Sequence, residues 1–197
     1  GSVDLHKNIS GGHSVDAQGA RFVYGNRLGF LAGYPTSRHA ISCAVIAESA
    51  AGMQRDYWYT TARDAAAMDD VTTVGRRTGE RTVRRLDARQ VKTAQVPVLF
   101  EAPVAAGLIG HFVSAASGGS LYRKSSFLLD SLGKQIFSPI VQIAERPHIS
   151  KGLASSPFDN EGVATQDRDL VKDGVLGGYF LSTYSARKLG MQSTGNA

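Results

Sequence analysis

Apolar and polar positions alternate through much of the first sixty residues, the rhythm of a half-buried strand. Arg21–Tyr24 and Leu28–Tyr34 are short strand candidates parted by the turn signal Gly25-Asn26. From Ala40 to Glu48, residues Ile41, Cys43, Val45 and Ala47 share one face, and Met53 to Thr61 returns through Tyr57, Trp58 and Tyr59. A long antiparallel hairpin with its reversal at Ser49–Gly52 is predicted here. Residues 1–14 are Gly/Ser-rich without periodicity and read as loop. After Thr61 the period lengthens: Arg63, Asp64 and a run of alanines suggest a helical stretch, and Asp69-Asp70 is an N-terminal signal for a helix over Val71–Leu86.

The segment Arg89-Gln90-Val91-Lys92-Thr93-Ala94-Gln95 has linker composition, which divides the chain into expected regions 1–93 and 94–197. Beyond it, Val98-Leu99-Phe100 reads as a buried strand. Pro103 suits the first turn of a helix. Val104 to Ala116 holds almost no polar residue, so that helix is expected to be buried all round. Ser117-Gly118-Gly119-Ser120 should end it, and an amphipathic segment from Leu121 to Ile136 follows. Ile140–Ile143 is a further strand candidate, and 151–161 is turn-rich. Val163–Val171 and Val175–Leu181 flank Asp173-Gly174, a strong hairpin signal. Thr183–Leu189 reads as a helix stopping at Gly190. The expected class is α+β, with antiparallel strands and hairpins around a buried apolar helix.

Composition narrows this picture modestly. The chain has 197 residues, 42% hydrophobic and 20% charged, ordinary proportions for a globular protein. No apolar run approaches the ~20 residues that span a bilayer, so no membrane segment and no secretory leader are expected. Cys43 is the single cysteine, which excludes an internal disulfide and fits a reducing, cytoplasmic setting. The Gly-Ser opening and the turn-like Gly195-Asn196-Ala197 suggest an internal piece of a longer polypeptide. A formal charge of +5 permits acidic partners without requiring them. Much of that charge sits in Arg76, Arg77, Arg81, Arg84, Arg85, Arg89 and Lys92. As a stripe these could bind nucleic-acid phosphates. With no interleaved aromatic residue and no known motif, a solvated helix face is the preferred reading, and nucleic acid is not an expected partner.

Three chemical motifs deserve weighing. Ser185-Ala-Arg-Lys188 matches S-x-x-K, a nucleophilic serine one helical turn from a lysine base, yet the companion S-D-N and K-T-G motifs are absent. Gly118-Gly119 with Lys124-Ser125 approaches a phosphate loop, but Arg123 stands where that motif needs glycine. His111, His148, Asp159 and Glu161 fall at no recognised metal-ligand spacing, so no metal or other cofactor is expected.

Longer stretches carry a family resemblance. Gly33-Tyr-Pro-Thr-Ser-Arg-His39, GGSLYRKSSFLLDSLGKQI, GLASSPFDNEG, Ser185-Ala-Arg-Lys-Leu-Gly and Ser193-Thr-Gly-Asn-Ala together resemble the modulator-of-gyrase family of TldD and PmbA (TldE), the PmbA branch more closely. The resemblance implies that 1–93 is part of the family's central region and 94–197 the first part of its C-terminal domain. The TldD branch looks like a zinc peptidase whose helix bears H-E-x-x-x-H. Here Gly110 stands at the first ligand position, His111 at the Glu position and Ala115 at the second ligand position. Neither Gly110 nor Ala115 has a side-chain donor, so zinc cannot be held in that manner. His111 is then a core histidine or a residue facing a shared cleft.

The implied function is a non-catalytic partner subunit of a cytoplasmic peptidase complex. Its implied partners are a TldD-like zinc-bearing subunit and peptide substrates, with peptide modification and antitoxin turnover as settings; a homodimer stays open. Gly118, Gly119, Arg123 and Lys124 are candidate peptide-binding residues, since a Gly-rich turn presents N–H groups and the cations can neutralise a carboxylate. Two alternatives remain: a stand-alone hydrolase using Ser185 and Lys188, and a DNA- or gyrase-associated module using the Arg76–Lys92 stripe.

Overall fold

The computed structural model describes residues 10–197. The chain is α+β and forms two compact units. Phe22 and the described residues before it join Tyr34–Gln95 in the first, while Val23–Gly33 and Val96–Ala197 make the second.

Most of the first unit's sheet residues come from β1 (Ser10–Gly25), β2 (Leu31–Ser49) and β3 (Gly52–Ala62), which lie in that order in one sheet; Val23–Gly25 of β1 and Leu31–Gly33 of β2 count with the second unit. The β2–β3 hairpin is antiparallel and closes at Ser49 opposite Gly52, as the alternation predicts. Cys43 pairs with Trp58 and Val45 with Asp56. Cross-strand partners point to the same side of a sheet. On that side lies α1 (Val71–Arg84), capped by Asp70, whose carboxylate accepts from the Thr72 N–H at 3.1 Å. The fully buried Thr78 and Thr82 hydroxyls donate to their own i−4 carbonyls and reach the Cys43 and Val45 carbonyls at 3.3 and 3.4 Å. Val74 and Ala47 fill the space between helix and sheet.

Two expectations change here. Residues 10–14 are strand, not loop, because β2 lies beside them and offers ladder partners, the Ser14 hydroxyl meeting that of Ser42 at 2.9 Å; the rest of the 1–14 reading lies outside the described residues. The alanine run yields a single 3₁₀ turn, Ala65–Ala67, started by Asp64.

The second unit gathers Phe112, Leu121, Leu128, Leu170, Leu176 and Leu181 into its core. Its sheet has β4 (Ile143–Glu145), β5 (Arg168–Lys172) and β6 (Val175–Leu176), all antiparallel. The β5–β6 turn takes positive φ at both Asp173 (50°) and Gly174 (77°), the requirement that makes Asp-Gly a hairpin signal. Both strands are shorter than their apolar runs. The buried Tyr179 hydroxyl accepts from the Ser131 N–H and donates to the Leu128 carbonyl, tying the loop after α3 (Gly118–Tyr122) to the stretch that follows β6.

Corrections are larger here. Val98-Leu99-Phe100 is not a strand, and Leu99 is 97% exposed; three apolar residues make a strand only where another strand offers hydrogen bonds. The apolar helix forms as α2 (Ala102–Ala115) with Pro103 in its first turn, but it is not buried all round. Only Phe112 is buried within it, while Val104, Leu108, Ile109 and Val113 are 40–58% exposed. Apolar composition favours burial, yet among the described residues α2 packs into the core through its C-terminal end, by Phe112, Ala115 and the cap residue Ala116. His111 is exposed and is no core histidine. Leu121–Ile136 is not one amphipathic segment: α3 stops at Tyr122, and Ser125 and Ser126 bond back to the Ser120 and Ala115 carbonyls instead of propagating a helix.

Candidate functional site

The second unit holds a cleft of about 660 Å³ where α2, α3 and α4 (Thr183–Leu189) meet. Its construction starts at Ser117, whose side chain accepts from the Ser120 N–H and so caps α3. The Gly118 N–H donates to the Phe180 carbonyl at 2.8 Å, and the Phe180 N–H donates to the Ala116 carbonyl at 3.0 Å. This bridge fixes the α2–α3 corner against the chain leading into α4. Helix α4 opens with a reciprocal cap, Ser185 N–H to Ser182 Oγ at 3.2 Å and Ser182 N–H to Ser185 Oγ at 3.0 Å. Gly190, at φ 67°, closes it.

Gly118 is required by proximity. A Cβ there would stand 2.2 Å from Ser185 Oγ and 3.0 Å from a Leu181 methyl, so α3 and α4 meet this closely only over glycine. The contact explains the S-x-x-K match: Ser185 is buried and its hydroxyl is committed to the cap, while the Lys188 ammonium lies over the Tyr184 ring at 5.6 Å.

Aromatic residues shape the cleft wall. Tyr122 and Tyr184 meet edge to face at 5.7 Å, and the Arg123 guanidinium sits over Tyr122 at 5.3 Å while donating to its hydroxyl. A Cβ on Gly119 would touch that guanidinium at 3.4 Å, so Arg123 packs beside Gly119, which lines the cleft. Val113 and Phe180 supply apolar floor, and Asn196 flanks one side. Asn196 is held by Arg168, which donates to its Oδ1 at 2.9 Å and to both the Glu145 carboxylate and the Tyr179 carbonyl.

Of the sequence candidates, Gly118 and Gly119 line this cleft, and the Arg123 guanidinium stands beside Gly119. Lys124 lies one residue beyond, at φ 58°, in the exit from α3. The residues missed from sequence are Tyr122, Tyr184, Val113 and Phe180, along with the position of Lys188. Tyr122 and Tyr184 each adjoin a residue already singled out, which was the available signal.

The basic stripe has other work. Arg76 pairs with Glu80, Arg77 with Asp69, and Arg81 and Arg85 with the buried Asp56. Arg77 and Arg81 also stack on Trp58 at 5.5 and 5.0 Å. Several arginines of α1 thus hold the helix to its own sheet.

As for a metal, Gly110 and Ala115 offer no donor atom, and among the described residues no group of three or more His, Cys, Asp or Glu is placed to hold an ion. The α2 residues therefore do not fit a zinc centre. No helix of the described residues is long and apolar enough to cross a membrane.

Family models match nearly the whole chain: the PmbA/TldA metallopeptidase central domain over residues 2–86 and the C-terminal domain of that family over 93–197. The chain belongs to the PmbA/TldA metallopeptidase family. It is 51% identical over 193 residues to a protein named metalloprotease PmbA of Escherichia coli O157:H7, covering 96% of this chain and 42% of that protein. A PmbA homologue of Haemophilus influenzae is 47% identical over 188 residues, with 95% and 42% covered. The chain thus spans well under half the length of these curated relatives. A TldD homologue of H. influenzae matches more distantly, 33% over 112 residues, 56% of this chain and 23% of that protein. Among solved structures, a putative modulator of DNA gyrase from Bacteroides thetaiotaomicron superposes with a TM-score of 0.92 at 26% identity, covering 98% of this chain and 45% of that one.

Proposed function

We propose that this chain is part of a non-catalytic subunit that works beside a zinc-bearing TldD-like partner in a cytoplasmic peptidase complex. The reading is supported by the resemblance, which sets Gly110 and Ala115, two residues without a side-chain donor, at the positions where a zinc-binding relative needs ligands, and by the formation of that stretch as helix α2. A family of metallopeptidases whose member lacks its own ligands has a simple use for that member, as a wall of the substrate channel. The α2–α3–α4 cleft, with Gly118, Gly119 and Arg123 beside Lys124, is the surface offered to peptide.

The stand-alone hydrolase has less support, because a nucleophilic serine needs a free hydroxyl near its base. The Ser185 hydroxyl instead holds the start of α4. A nucleic-acid role loses support with the pairing of Arg76, Arg77, Arg81 and Arg85.

The test uses the full-length protein co-purified with its TldD-like partner. Zinc should follow the partner, about one per heterodimer, and Arg123→Ala with Lys124→Ala should reduce peptide cleavage while the complex still assembles. Unchanged cleavage would remove the peptide-binding role. Loss of activity in Ser185→Ala, with assembly and zinc content retained, would favour the hydrolase.

A further inference from the structure

Resting on the peptide-binding role proposed above, we infer that the α2–α3–α4 cleft is a subsite for one large, uncharged apolar side chain of a peptide, an aromatic one above all. Among the described residues, none that lines the cleft is charged. Val113, Tyr122, Phe180 and Tyr184 supply its large side chains, while Gly118 and Gly119 leave the α3 side bare. A space of about 660 Å³ falls within the span of ordinary ligand sites.

The serine hydroxyls and the amide of the lining are spent on the protein itself. The Ser117 hydroxyl donates to the Ser114 carbonyl at 2.9 Å and accepts from the Ser120 N–H. Ser182 and Ser185 hold each other in the α4 cap. Asn196 Oδ1 accepts from Arg168 at 2.9 Å and from the Thr194 hydroxyl at 2.7 Å, and its Nδ2 donates to the Glu145 carboxylate. A charged side chain entering here would give up water and gain no opposite charge, which costs heavily. An apolar side chain gains by leaving water. A neutral lining with its polar side chains already engaged therefore selects a neutral, apolar guest.

The rings narrow the choice further. Tyr122 and Tyr184 meet edge to face at 5.7 Å with an interplanar angle of 82°, and Phe180 belongs to the same lining. A guest ring can join such a set through edge-to-face or offset contacts, which add to the gain from buried area.

The experiment measures fluorescence anisotropy with the full-length protein, purified without its partner, and labelled peptides Ala-Ala-X-Ala-Ala blocked at both ends. X is Phe, Leu, Ala, Glu or Lys. Each buried methylene is worth roughly fourfold in affinity, so the Leu peptide should bind at least about tenfold tighter than the Ala peptide. The Phe peptide should bind at least as tightly as Leu, and Glu and Lys no tighter than Ala. Tyr184→Ala should erode the Phe preference and Tyr184→Phe should keep it. Val113→Asp, at a 40% exposed position, should weaken the Phe peptide and strengthen the Lys peptide. Tyr57→Ala removes a tyrosine equally exposed, at 56%, in the first unit and should change neither. The peptide series on the parent protein needs no variant at all.

Equal affinity across the series overturns the inference. So does no binding of any peptide, the result expected if a second copy or another segment of the full-length protein fills the cleft. Glu or Lys binding more tightly than Phe overturns it too, as does a Phe preference that survives both Tyr184→Ala and Val113→Asp. If the series shows no preference while the complex with the zinc-bearing partner still cleaves peptides, the subsite fails and the partner role stands. If the Phe preference is present, falls in Tyr184→Ala, and the complex does not cleave, the subsite stands and the partner role fails.

Discussion

At Gly118, a hydrogen atom decides how closely two helices meet. With Ser185 Oγ 2.2 Å from where a Cβ would stand, Gly118→Ala must push α3 from α4 or break the Ser182–Ser185 cap. Overpacking of this kind costs roughly 1–3 kcal/mol, and thermal melts should show a lowered midpoint. Gly118→Ala combined with Ser185→Gly should recover part of the loss, because the second change empties the contested space. A pair that merely adds its two single costs would show that the clash is not the cause. Ser185 illustrates how a motif misleads at this scale: four residues match a hydrolase signature, while the hydroxyl serves as a helix cap.

At the scale of elements, α2 shows that apolarity and burial are separate properties. Phe112 packs against Phe137 and Phe180 at 5.6 and 6.5 Å, whereas Ile109 is 45% exposed. Phe112→Ala should therefore cost roughly 3–5 kcal/mol. Ile109→Lys in the same helix should change stability by no more than about 0.5 kcal/mol in this chain. Denaturant titrations of both variants check the contrast, and equal costs would contradict it. On α1, hydrogen bonding from the Thr72 hydroxyl, helped by backbone N–H groups of the first turn, holds the Asp70 carboxyl below its ordinary value. A carboxyl whose pKa is lowered on folding stabilises above its unfolded pKa, and that contribution is lost as pH falls through the folded one. Asp70→Ala should melt lower than the parent at pH 7, with the gap narrowing below about pH 4, where carboxylates protonate. Far-UV circular dichroism melts across pH 2–7 measure it, and a gap independent of pH would refute the assignment.

Across the whole molecule, a formal charge of +5 coexists with α1 arginines bound to the protein's own acids. Neutralising several phosphates makes DNA affinity fall steeply with salt. The chain should instead show weak DNA binding without a steep salt slope, and filter binding between 50 and 200 mM salt (the range in which specific phosphate contact is usually visible) would reveal otherwise. How much was legible beforehand follows the range of the interactions involved. The β2–β3 hairpin, the Asp70 start of α1, the Asp173-Gly174 turn and the Gly190 stop of α4 could all be read from sequence, because alternation, capping and positive φ are local demands that a few neighbouring residues satisfy. Exposure of α2, the failure of Val98–Phe100 to pair, the acids facing α1 and the Tyr122–Tyr184 row with its two cations were not. Each depends on which surface lies opposite, and groups such as Tyr122 and Tyr184, sixty-two positions apart in sequence, meet only when the tertiary structure brings α3 onto α4.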